Sequence, residues 1–168
     1  NQAIHQIDVL LYLLGPVDSV SAVWQLGARH NIESEDIVNA LLSYRSGASG
    51  VIQAATAFWP GYTERIEIHG IKGTAIISGD RLTAWDVQDD ETANAADPAP
   101  IEHDVASGSS DPMSIRLTSF ERQFRDFADS LHTGREPVVN GEEGYRALEV
   151  VLGIYRSCRE HRSVQLIS

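Results

Sequence analysis

Cysteine is nearly missing: among 168 residues there is one, Cys158. A single thiol cannot close a disulfide within the chain or build a Cys-rich zinc site, so a reducing, cytoplasmic setting is the expectation. Lysine is as scarce. Lys72 stands alone among 13 cations, the rest being Arg, against 24 Asp and Glu, for a formal net charge of -11. That balance leaves no cationic face for a nucleic-acid duplex or an anionic membrane, and neither is expected as a partner. Long apolar runs are also missing. The longest, Val9 to Leu14, falls far short of the ~18 residues of a membrane helix. No basic segment resembling a signal peptide precedes it. The chain has no initiator Met and opens at Asn1, inside what reads as a helix. It is therefore expected to be the C-terminal part of a longer polypeptide.

What is present suits one globular domain. Hydrophobic residues make up 42% of the chain and charged residues 22%, enough for a core without staples at this length. Asn1 to Leu14 reads as a helix stopped by Gly15-Pro16. Val20 to Leu26, Ile37 to Tyr44, Ala48 to Phe58, Arg65 to His69, Thr74 to Ser78 and Leu82 to Val87 read as strands. Arg45-Ser46-Gly47 makes a hairpin, Trp59-Pro60-Gly61-Tyr62 a turn, and Gly70 to Gly73 another turn. The acidic stretch 88–112 lacks aromatics and reads as a long mobile loop, or as a lid.

Two helices follow. Leu117, Phe120, Phe124, Phe127, Ala128 and Leu131 recur at three and four residues in the first. The second starts at Asn140, a cap candidate with Glu143 at capping-box spacing, and carries an apolar stripe of Leu148, Val151, Leu152 and Tyr155. Ser163 to Ile167 adds a last strand. The expected class is α+β: a predominantly antiparallel twisted sheet with helices on one face, the other face open for oligomerisation.

The opening helix carries the sharpest signal. At 100° per residue, Asn1, His5, Asp8 and Tyr12 fall within about 60° of arc. Ala3, Ile4, Ile7, Leu10, Leu11 and Leu14 fill the opposite side, with Val9 and Leu13 on the flank. So apolar a helix is expected to be mostly buried, and its polar stripe must meet water, a ligand or polar partners. One reading is a substrate pocket, in which His5 is an acid/base, Asn1 binds a hydroxyl and Asp8 orients the imidazole. The other is a satisfied polar seam, with Asp8 and Tyr12 pairing with backbone groups. A metal site is not expected, since His5 and Asp8 supply at most two ligands. Trp59 and Tyr62 offer aromatic faces to a sugar, or cap the core. Arg29 and His30 lie in a link before a strand, and Cys158 reads as a buried, inert thiol.

Residues 1 to 17, N-Q-A-I-H-Q-I-D-V-L-L-Y-L-L-G-P-V, resemble the Gfo/Idh/MocA oxidoreductases, the glucose–fructose oxidoreductase and inositol dehydrogenase family. Residues 64 to 74, E-R-I-E-I-H-G-I-K-G-T, are similar to that family's strand–turn–strand, and residues 124 to 155 to its closing helices. The resemblance implies the second domain of such a protein, its nucleotide-binding Rossmann domain lying elsewhere. In agreement, no G-x-G-x-x-G occurs in the chain.

By the same resemblance His5 corresponds to the family's catalytic histidine, and Asn1 to the Asp or Asn four residues before it. The catalytic lysine belongs to the other domain, and Lys72 does not match it. The implied activity is NAD- or NADP-dependent oxidation or reduction of a sugar, cyclitol or related polyol. Asp8, Tyr12, Trp59 and Tyr62 stand as further substrate-binding candidates, and a dimer or tetramer through the sheet is expected. The isolated fragment is expected to be inactive. A non-catalytic sensor or assembly module of the same fold is the rival expectation.

Overall fold

A computed structural model describes residues 3–27, 31–79, 81–88 and 117–167; of residues 117–119 it describes only the backbone. Almost all of the stretch 88–112, with its expectation of a loop or lid, and Arg29 and His30 lie outside the described residues. The chain divides into two compact units, residues 1–58 with 124–168, and residues 59–123. The opening helix, α1, spans Ile4–Leu14, and the strands are β1 (Val17–Leu26), β2 (Glu35–Tyr44), β3 (Ser49–Ala55), β4 (Arg65–Gly70), β5 (Gly73–Ser78) and β6 (Arg81–Val87). Helices α2 (Leu117–Thr133) and α3 (Gly141–Glu160) and strand β7 (Val164–Gln165) complete the order.

The antiparallel α+β class expected from the sequence is what forms, although the meander builds two sheets instead of one. One has the order β3-β2-β1-β7, the other β4-β5-β6. The break spans residues 56–64, so β3 stops short of the expected Phe58, and a cis Trp59–Pro60 bond and Gly61, at φ +87°, lie within it. Proline has no N–H for a ladder.

In the second unit, Gly70 pairs with Gly73 across the predicted turn. A Cβ on Gly73 would meet the Asp86 carbonyl oxygen at 2.4 Å, so only glycine allows β5 and β6 to approach there. His69 lies on the exposed side of β4, with Nδ1 3.0 Å from Thr74 Oγ1 and Nε2 3.3 Å from Glu67 Oε2.

The core of the first unit follows from the period of two in β2. Asp36, Val38, Ala40, Leu42 and Tyr44 face inward and are buried. Register stacks Ala22, Ala40 and Ile52 in one row and Trp24, Val38 and Ala54 in the next. Ile7 and Leu11 of α1 and Ala147, Val150, Ile154 and Cys158 of α3 pack on these rows. Each large apolar side chain so buried contributes about 1.5–3 kcal/mol. On the opposite face of the same strands Val23, Leu41 and Val51 stay exposed, beside a Gln53–Asn39 side-chain hydrogen bond of 3.1 Å.

Helix α3 begins as expected: Asn140 Oδ1 accepts from the N–H groups of Glu142 (3.0 Å) and Glu143 (3.1 Å). The reciprocal half of the box does not form, because Glu143 instead accepts from Arg146 at 2.8 Å. The expected stripe also needs correction. Leu148 and Leu152 are exposed, while Ala147, Val150, Gly153, Ile154, Ser157 and Cys158 are buried. Small side chains win the inward face because α3 lies close to the sheet and β7. A Cβ on Gly153 would already meet Leu166 Cδ2 at 2.6 Å. Cys158 is buried as expected, and burial pushes its thiol pKa up, away from reactivity.

Ser157 ties this seat together. Strand β7 supplies β1 with two rungs, Ser19–Gln165 and Val20–Val164. Past them, the Ala22 N–H donates to Ser157 Oγ at 2.9 Å, and that hydroxyl donates to the Arg162 carbonyl at 2.6 Å. With the residue 1% exposed, water cannot replace either bond. Ser157→Ala is expected to destabilise the chain by about 1–3 kcal/mol in urea unfolding, with its far-UV spectrum unchanged. A loss below a few tenths would show that neither bond contributes.

Candidate functional site

The first turn of α1 decides what the site presents. Ala3 precedes the helix without a side-chain cap, and Gly15, at φ +82°, closes it by donating its N–H to the Leu11 carbonyl. Ile7 and Leu11, 40° apart around the axis, are the buried pair. The expectation of a mostly buried helix is therefore corrected: Val9, Tyr12 and Leu13 are exposed, Tyr12 to 88%. One apolar side is enough to seat the helix on α3 and the sheet, and the other girth of α1 faces outward.

On that outward side His5 is exposed and Asp8 half-buried. Asn1 lies outside the described residues. The spacing thus places His5, Asp8 and Tyr12 on one open stripe, on a helix fixed from behind. Trp59 and Tyr62, each 82% exposed, belong to the second unit. Among the described residues no group of three or more His, Cys, Asp or Glu side chains could hold a metal ion. None of the described helices is long and apolar enough to cross a membrane.

A concavity does lie against α1, on the other side. It has a volume of about 530 Å³, is half open to solvent, and α1 lines it through Ala3, Ile4 and Ile7. The face carrying His5, Asp8 and Tyr12 takes no part in that lining. Ile32, Val38, Ile52, Ala54 and Ala55 and, from α3, Val151 and Ile154 complete its apolar walls, and Ser34, Glu35, Asp36, Thr56 and Tyr155 add polar groups.

Glu35 and Tyr155 form a pair that sequence reading missed. The Tyr155 hydroxyl donates to Glu35 Oε1 at 2.6 Å and the Ser34 hydroxyl to Oε2 at 2.7 Å. Burial raises the Glu35 carboxyl, and these hydrogen bonds outweigh it, leaving the group below the ordinary range. The same bond, with burial added, pushes Tyr155 up to about 12. Behind the tyrosine, Trp24 lies 5.7 Å away between ring centroids, and the Arg159 guanidinium sits 5.8 and 5.9 Å from the two rings. Asp36 had a visible signal: its parity in β2 is that of Val38, Ala40 and Leu42. Glu35–Tyr155 had none, since 120 residues separate the partners.

The pair makes stability depend on pH at both ends. Glu35 contributes stability above its unfolded pKa, lost as pH falls through the lower folded value. Tyr155 contributes stability below its ordinary value of 10.0, lost as pH rises toward about 12. Tyr155→Phe is expected to cost about 1 kcal/mol at neutral pH and to flatten the alkaline limb of a stability–pH curve read by thermal melting. An alkaline limb identical to that of the parent would exclude the bond.

The relatives of this chain agree in kind. It is 29% identical to the D-apiose dehydrogenase of Paraburkholderia graminis, over 98% of the chain and 44% of that protein. With the myo-inositol 2-dehydrogenase of Thermotoga maritima it shares 26% identity, over 99% of the chain and 48% of the relative. The chain thus spans less than half the length of these curated relatives. Among solved structures, the WlbA dehydrogenase of Bordetella pertussis, crystallised with NADH and UDP-GlcNAcA, superimposes at a TM-score of 0.77 with 29% identity, over all of this chain and 45% of that one. The sequence model of the oxidoreductase family's C-terminal alpha/beta domain matches residues 1–166, and the chain belongs to that family, the Gfo/Idh/MocA oxidoreductases, as its C-terminal domain.

Proposed function

We propose that this chain is the substrate-binding and assembly domain of an NAD(P)-dependent dehydrogenase acting on a sugar, cyclitol or related polyol, with His5 as the acid/base. One observation carries the reading: Ile7 and Leu11 pin α1 in the core while His5, on its opposite side, stays exposed. An imidazole held so is fixed in position and open to a substrate hydroxyl. It takes the hydroxyl proton during oxidation and returns it during reduction. Asn1, as an amide, binds and orients. Asp8 and Tyr12 extend the stripe, and Trp59 and Tyr62 offer aromatic faces for a sugar ring. The relatives named above act on or bind sugars and polyols, which supports the substrate class.

The chain's own residues do not fit the dinucleotide. There is no Gly-rich fingerprint in the sequence. The N-terminus of α3 already gives two N–H groups to Asn140 and carries Glu142 and Glu143 in its first turn, which repel a pyrophosphate. The nucleotide is assigned to the part of the protein outside this chain, and the hydride chemistry goes with it.

Replacing His5 by Ala in the full-length protein is expected to lower polyol turnover by about 10²–10⁴-fold, with the melting temperature retained. Near-normal turnover across a broad polyol panel would remove His5 from the mechanism. A parent protein with no NAD(P)-dependent turnover at all would favour the sensor or assembly module.

The exposed sheet face is the proposed assembly surface. Ser21, Leu41 and Val51 stand opposite one another in one row, and Val23, Asn39 and Gln53 in the next. Leu41→Asp combined with Val51→Asp is expected to convert a dimer or tetramer into monomers by light scattering. An unchanged mass would place the interface elsewhere.

A further inference from the structure

The cavity behind α1 differs in chemistry from the stripe in front of it. Its volume of about 530 Å³ is within the range of small-molecule sites, and its walls are mostly aliphatic, as such sites require. The polar end centres on Glu35, with the Thr56 hydroxyl as a further polar group. The hydroxyl protons of Ser34 and Tyr155 both go to Glu35, so these groups are committed donors. A carboxylate has about four lone-pair positions, and the two hydrogen bonds leave Glu35 able to accept from another group. Among the described residues no Lys or Arg lines the cavity, and Glu35 is the carboxylate at its polar end. An anion entering here would lose its hydration against like charge. A polyol would leave most of its hydroxyls facing aliphatic carbon.

We propose that this cavity is a second small-molecule site, distinct from the polyol stripe, which takes a compact ligand with an apolar body, one hydrogen-bond donor and no negative charge. The donor faces Glu35, and the body packs on Ile4, Ile7, Ile52 and Val151. Because Ile4 and Ile7 belong to the helix that displays His5, such a ligand would contact the back of the catalytic helix without touching the imidazole. The proposal stands whether or not His5 is the acid/base.

Matched probes on the full-length protein test it: cyclohexanol, cyclohexanecarboxylate and myo-inositol, each titrated at pH 7 and followed by methyl NMR. Cyclohexanol is expected to saturate, with shifts confined to the methyl groups of the cavity, and cyclohexanecarboxylate to bind at least tenfold more weakly. Ala54→Leu, which fills the cavity, is expected to weaken cyclohexanol at least tenfold. Should that variant not fold, Glu35→Gln serves instead, and is expected to narrow the gap between alcohol and carboxylate. Four results would overturn the proposal: no saturable shift with cyclohexanol; equal binding of the carboxylate; an unchanged gap in Glu35→Gln; or myo-inositol displacing cyclohexanol, which would make the cavity the polyol site.

Discussion

Everything in the first unit depends on how closely α3 sits on the four-stranded sheet. Residues with little or no side chain (Ala147, Gly153, Ser157) make the approach possible. The hydroxyl of Ser157 then completes the hydrogen bonding that the two-residue strand β7 leaves open on β1. Larger residues at these positions would lift the helix and leave buried backbone groups without partners, at about 1–3 kcal/mol each. Helix α1 takes its position from the same seat, since Ile7 and Leu11 pack into the core that α3 and the sheet enclose. The direction in which His5 faces is therefore decided by packing on the far side of its helix.

That arrangement gives α1 two chemically different sides. In front, an imidazole and a phenol are exposed and a carboxylate is half-buried. Behind lies a mostly aliphatic cavity, half open to solvent, whose polar end holds Glu35 with the Ser34 and Tyr155 hydroxyls bonded to it. Proton transfer to a hydroxylated substrate needs the first environment, and compact apolar ligands suit the second. The thickness of one helix separates the two.

Local pattern carried most of the fold into view. The β-rich run Ile37 to Tyr44 foretold most of β2, Gly15-Pro16 the end of α1, Arg45-Ser46-Gly47 the hairpin, and Asn140 the cap of α3. The α3 stripe was misread because large apolar residues were weighted over small ones. Leu148 and Leu152 are exposed, while a serine and a glycine are buried. The sheet was read as one because the irregular residues 56–64 between β3 and β4 resemble an ordinary turn. The stripe of His5, Asp8 and Tyr12 was legible from helical geometry alone. The cavity was not, because its walls come from α1, β2, β3 and α3, whose proximity no local period encodes. The Glu35–Tyr155 bond was hidden for the same reason.

The central claim is that the substrate meets α1 on its exposed side. A crystal structure of the full-length protein with a nicotinamide nucleotide and a bound polyol tests it most directly. The account predicts a ring nitrogen of His5 within about 2.6–3.2 Å of the reacting hydroxyl. A polyol seated instead against Ile4 and Ile7, with His5 out of reach, would contradict it.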